Sequence, residues 1–219
     1  MINIIWDLDG TLIDSSKEIN QCLELAVKKS GLDLSKQIKP FIIGPTIDKI
    51  VKESFPLELL TDEILKNTIG SFRKIYDNSD FNYTKPYIGI EEIIFDKTNY
   101  CHHIVTNKPD MPTNRILSKF KWCEYITSVR TPYSNMNSFN KRLQSKTELF
   151  SELIIKFGNE VSSFIGIGDM RSDCTAAREN NITAVGVLWG TGTREELLDC
   201  CDYLFEDTKQ LRDYLYENK

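Results

Sequence analysis

Four aspartates stand where this chain would turn out of buried strands. Asp7 and Asp9 follow the apolar run Ile2 to Trp6 and lead into Gly10 and Thr11; Asp169 follows Phe164 to Ile167 and Gly168, and Asp173 comes about one helical turn later. In an extended segment alternate side chains share a face, so Leu8 points away while Asp7 and Asp9 address one crevice. Gathered together, Asp7, Asp9, Asp169 and Asp173 concentrate negative charge, which is costly unless a cation neutralises it. A hard divalent ion with oxygen ligands, magnesium above all, suits such a set. Thr106, Asn107 and Lys108 follow another apolar run and offer a hydroxyl, an amide and a cation to phosphate oxygens. Singly, each piece is commonplace, since aspartates end strands and cap helices. Their order along the chain is what points to chemistry.

The elements that must position these groups are legible as alternating patterns. Short apolar runs at Ile2 to Trp6, His103 to Val105, Phe164 to Ile167 and Ala184 to Leu188 are each followed by loop chemistry and then by helical periodicity. Strands alternating with helices give an α/β fold with a Rossmann-like parallel sheet, whose binding crevice lies beyond the carboxyl ends of the strands. Residues 14–83 break the alternation with helical periodicity alone. They are expected to form an inserted small helical cap, leaving 1–13 and 84–219 as a discontinuous core. Ser15 and Glu18 have the spacing of a capping box, Ile19, Leu23 and Ala26 then share a face, and Gly31 offers a stop. Another helix starts near Thr61, and Pro86 and Gly89 punctuate the return to the core before Ile90, Ile93 and Ile94.

At 219 residues the chain can bury a substantial core without crosslinks. Its 27 basic and 32 acidic side chains leave a formal charge of -5, which argues against a nucleic-acid-tracking surface. The six cysteines include no CxxC pair, so reduced thiols are expected rather than a zinc site or a disulfide ladder. No stretch approaches a membrane span, and a cytoplasmic protein is expected. His102 and His103, the two histidines, should point to opposite faces of a strand and hold structural roles.

Asp7-Leu8-Asp9-Gly10-Thr11-Leu12, Thr106, and Gly168-Asp169 through Asp173 together resemble the motifs of the haloacid dehalogenase superfamily, and within it of phosphatases similar to phosphoglycolate phosphatase. Phe72-Arg73 with Tyr76, and Pro86-Tyr87 with Gly89, resemble the stretch leading from cap to core. The resemblance implies a helical cap closing over the crevice, with Gly44-Pro45 in a loop facing it. It implies Asp7 as nucleophile, Asp9 as general acid and base, and Thr106 as a holder of the transferring phosphoryl group, with Gly10, Thr11, Asn107 and Lys108 lining the phosphate site. Magnesium would be held by Asp7, the carbonyl of Asp9, Asp169 and Asp173. The third motif departs from the family's Lys-Pro pattern: Lys146 before Thr147 is preferred, with Lys141 before Arg142 and Lys108 as alternatives. The implied partner is a small-molecule phosphate ester, with monomer and dimer both open. Two other readings stay open, a phosphomutase similar to β-phosphoglucomutase and a non-catalytic binding member of the fold.

Overall fold

The computed structural model of the chain describes residues 1–132, 144–158 and 164–218. Two compact units divide it: Met1–Asp14 with Pro86–Lys219, and Ser15–Lys85. In chain order the elements are β1 (Ile2–Trp6), β2 (Ile13–Asp14), α1 (Ser16–Lys29), α2 (Ile47–Ser54), α3 (Asp62–Tyr76), β3 (Lys85–Pro86) and α4 (Ile90–Ile94). There follow β4 (Tyr100–Val105), α5 (Asp110–Lys119), β5 (Ile126–Arg130), α6 (Lys146–Phe157), β6 (Phe164–Gly168), α7 (Arg171–Glu179), β7 (Thr183–Val187), α8 (Arg194–Leu198), β8 (Tyr203–Phe205) and α9 (Thr208–Glu217).

In the larger unit six parallel strands form one sheet in the order β5-β4-β1-β6-β7-β8. This is the expected parallel α/β architecture. β1 is central and reads as a nearly continuous apolar run because both of its faces are covered, and Ile4, Ile5 and Trp6 have no exposed surface. Ile5 joins Leu149, Phe150 and Leu153 of α6, Ala176 and Ala177 of α7, and Leu197 of α8 in one core cluster. Full burial of one such aliphatic side chain is worth about 1.5–3 kcal/mol. Gly166 in β6 lets α6 and α7 lie close to the sheet, since a Cβ there would meet Phe150 and Ala177 at 2.8 Å.

His102 and His103 do face opposite ways. His102 Nδ1 accepts from Trp6 Nε1 at 3.0 Å, on the side where Tyr100 donates to the Leu215 carbonyl of α9 at 2.8 Å. The His103 ring lies 4.7 Å from that of Phe157 in α6, with its nitrogens on Ser128 and Asn3. β5 and β8 escape the sequence reading because neither carries a buried apolar run.

The smaller unit, Ser15–Lys85, is built on α1 packed along α3. Leu23, Ala26 and Val27 of α1 and Thr68, Phe72 and Tyr76 of α3 are buried, and Thr68 Oγ1 donates to Ser30 Oγ at 2.6 Å. Tyr76 stacks on Phe72 and meets Phe81 edge-on. Thr61 caps α3 by accepting from the Ile64 amide. The capping box expected at Ser15 does not form. Glu18 instead accepts from the Tyr83 amide at 2.7 Å, tying the start of the unit to its end.

The cysteine expectation also needs correction: Cys174 and Cys201 are joined by a disulfide. Local spacing misses such a pair because the parallel crossover, not a CxxC turn, brings together residues 27 apart in sequence. Among the described residues, no helix is long and apolar enough to cross a membrane.

Candidate active site

The strand order β4-β1-β6 brings three loops together at the carboxyl edge of the sheet, those beginning at Asp7, Thr106 and Asp169. Asp7 leaves β1 with its amide still donating to the Ile167 carbonyl at 2.9 Å, so its position is tied to β6. Gly10 then turns with φ at +84°, where a side chain would be strained, and a Cβ there would run into the Asp169 carboxylate. Thr11 is fully buried and donates from Oγ1 to Asp169 Oδ1 at 3.2 Å.

Asp7, Asp169 and Asp173 are all buried, and each offers an oxygen within 4.8 Å of the others. Lys146, the first residue of α6, is nearly as buried, and its Nζ donates to Asp7 Oδ1 at 2.8 Å and to Asp173 Oδ1. A reciprocal capping box between Ser145 and Glu148 fixes the start of that helix, and so the origin of the lysine side chain. Asp173 Oδ2 accepts from the Met170 amide at 3.1 Å at the opening of α7.

One ammonium among three enclosed carboxylates leaves surplus negative charge. Burial, opposed by Lys146 and reinforced by Asp173, raises the Asp7 carboxyl to about 7. Asp169 is raised to about 6, by burial and then by the charge of Asp7, against the pull of hydrogen bonds from Thr191. Burial likewise raises Asp173. At Lys146 burial disfavours the charge, but Asp173 and Asp7 outweigh it and hold the ammonium charged. A hard divalent cation is the natural complement of this oxygen-only, negatively charged set, so the residues fit magnesium.

The carboxylate of Asp9 is not in this trio. It meets Lys108 Nζ at 2.8 Å, with the lysine side chain 3% and the aspartate side chain 15% exposed. Thr106 is buried at the end of β4; its amide donates to the Arg130 carbonyl, and its hydroxyl accepts from the Lys108 amide at 3.2 Å. Asn107, between them, is half-buried. Of the three candidate lysines, Lys146 lies at Asp7 and Lys108 at Asp9, while Lys141 lies outside the described residues.

A further loop, after β7, was not singled out from the sequence. Thr191 donates to Asp169 Oδ2 twice, from its amide at 2.8 Å and from its hydroxyl at 2.9 Å. Trp189 donates from Nε1 to the Thr11 carbonyl at 3.0 Å. The signal was present as Trp189-Gly190-Thr191-Gly192 directly after a buried strand, because a Cβ at Gly190 or Gly192 would overlap Asp169. These glycines permit a close approach of backbone to a carboxylate.

Comparison with known proteins bears on the family and the fold. The family model described as haloacid dehalogenase-like hydrolase matches residues 4–187. A phosphoglycolate phosphatase of Aquifex aeolicus is 27% identical over 194 residues, covering 85% of this chain and 84% of its own. A 5'-nucleotidase of Pseudomonas aeruginosa is 22% identical over 198 residues, covering 89% and 86%. Among solved structures, a chain from Clostridium difficile superposes with a TM-score of 0.81 at 24% identity over 97% of both chains. A haloacid dehalogenase-like family hydrolase of Streptococcus pneumoniae does so at 0.76 and 19%, over 98% of both.

Proposed function

The chain belongs to the haloacid dehalogenase-like hydrolases, and from that premise we propose that it is a magnesium-dependent phosphatase working through an aspartyl-phosphate on Asp7. The observation that carries the reading is the buried Asp7, Asp169 and Asp173 trio with Lys146 held between Asp7 and Asp173 at the carboxyl edge of the parallel sheet.

Asp7 attacks the phosphorus of a phosphate monoester with a carboxylate oxygen, and the bond to the ester oxygen breaks as the departing alcohol takes a proton from Asp9. Water then attacks the phosphorus of the acyl phosphate while giving a proton to Asp9, which releases inorganic phosphate and restores Asp7. Lys146 orients the Asp7 carboxylate and favours its anionic form against the opposing effect of burial, since its ammonium donates to Oδ1. Lys108 orients Asp9, and Thr106 with Asn107 offers a hydroxyl and an amide to the phosphoryl oxygens. Asp7, Asp169 and Asp173, with the carbonyl of Asp9, would hold magnesium, whose charge offsets repulsion between an anionic nucleophile and an anionic phosphate.

The names of the relatives support small phosphomonoesters as substrates, with phosphoglycolate and nucleoside monophosphates first. The test is inorganic phosphate release from a panel containing both, with magnesium and with a chelator, for wild type and Asp7→Asn. Magnesium-dependent release that is lost in the variant supports the reading. Release that survives Asp7→Asn, or none from any ester, overturns it.

A further inference from the structure

Three cysteine sulfurs lie within 4.8 Å of one another behind the acidic trio: Cys174 in the first turns of α7, and Cys200 and Cys201 in the turn between α8 and β8. Cys174 has no exposed surface and directly follows Asp173. Cys200 is 5% exposed, and its Sγ donates to the Glu196 and Leu197 carbonyls, which holds it as a thiol turned back on its own helix. Cys201 alone of the three is half-buried rather than buried. Its sulfur is accommodated by Gly186 of β7, where a Cβ would lie 2.7 Å from Sγ. The Cα atoms of Cys174 and Cys201 are 5.4 Å apart, within the range that a disulfide spans.

We propose that Cys201 and Cys174 form a thiol–disulfide modification site, entered by a low-molecular-weight disulfide at Cys201, whose bridged state fastens the Asp173 end of α7. The steps follow from access. The Cys201 thiolate attacks one sulfur of the small disulfide, forming a mixed disulfide and expelling one small thiol, which takes up a proton. Cys174 then gives up its proton and attacks the Cys201 sulfur, expelling the second small thiol. The net change is two protein thiols oxidised to one bridge and one small disulfide reduced to two thiols. Cys200 stays out of the exchange because its thiol is turned back on its own helix and engaged with two carbonyls. The bridge ties the opening of α7 to the turn after α8, and Asp173 is the residue next to the tie. That last consequence rests on the phosphatase reading; the modification site itself does not.

The experiment exposes reduced protein to glutathione disulfide, traps free thiols by alkylation and maps the linked peptides by mass spectrometry, for wild type, Cys200→Ser and Cys201→Ser. A bridge between Cys174 and Cys201 in wild type and in Cys200→Ser, and none in Cys201→Ser, is the expected result. Oxidised wild type should melt about 5 °C or more above reduced wild type, with no such difference for Cys201→Ser. Three free thiols after exposure, a bridge through Cys200, or native protein that carries a metal on all three sulfurs would overturn the site. A magnesium titration followed by calorimetry then isolates the coupling to Asp173: half-saturation should differ by about fivefold between the two states, and equal values would remove that coupling while leaving the mapped bridge in place. Absence of phosphatase activity would show in neither the peptide map nor the melt.

Discussion

Lys146 Nζ donates to Asp7 Oδ1 at 2.8 Å across a sequence separation of 139 residues, and the same ammonium also meets Asp173. The first residue of one helix thus joins the end of β1 to the start of α7.

Replacing Lys146 with Met should be costly twice over. It leaves the buried Asp7 and Asp173 without the ammonium between them, and losing one partner of a buried ion pair costs about 3–5 kcal/mol. Urea denaturation in the presence of a chelator should register that loss, and magnesium should restore part of it. Phosphate release should fall by about 10²-fold or more. A variant as stable and as active as wild type would exclude the orienting role.

Thr191→Val keeps the amide donor to Asp169 and deletes the hydroxyl donor. A hydrogen bond to a charged group contributes about 1.5–3 kcal/mol, so the magnesium concentration for half-maximal rate should rise about tenfold or more, with little change in kcat at saturation. A fall in kcat with unchanged magnesium dependence would instead give Thr191 a role toward the substrate.

Magnesium binding should release protons below neutral pH. Asp7 at about 7 and Asp169 at about 6 hold protons in the ion-free protein that the unfolded chain, with both near 3.8, has already lost. Between about pH 4 and 7 the folded state therefore binds more protons, and the contribution of these two groups to stability declines as pH rises. A cation displaces those protons. Calorimetry in two buffers of different ionisation enthalpy should find proton release at about pH 6 that disappears by about pH 8.5. Equal release at both values would argue against carboxyl titration.

His102 and His103 work in the opposite direction. Burial lowers both to about 4 from 6.5, so the unfolded chain takes up protons first as pH falls through 6.5, and stability is lost down to about pH 4. His103→Gln, which can still bond to Ser128 or Asn3, should reduce the fall in Tm over that interval relative to wild type. An unchanged pH dependence of Tm would assign the acid loss elsewhere.

The parallel sheet was legible because β1, β4, β6 and β7 are buried on both faces and so write themselves as apolar runs. The acidic residues were legible because they stand immediately after those runs. Lys146 was harder, since a lysine has no periodicity of its own; the capping box of Ser145 and Glu148 that fixes its helix start emerged only from the structure. Thr191 was missed because its partner lies far away in sequence and its donors include a backbone amide, which no residue type announces. The bridge between Cys174 and Cys201 was missed for the same reason: only the crossover through β7 makes them neighbours. Glu18 misled because the capping-box spacing was correct while a long-range acceptor role, toward Tyr83, won.

Gly166 gives the last consequence. It touches neither a carboxylate nor Lys146, yet a single methyl group there would press on Phe150 of α6 and Ala177 of α7, the two helices that carry Lys146 and Asp173. A random screen for inactive alleles should therefore recover substitutions in the middle of β6 alongside those at the acidic trio, and suppressors of Gly166→Ala should arise as smaller side chains at position 150, restoring room instead of chemistry.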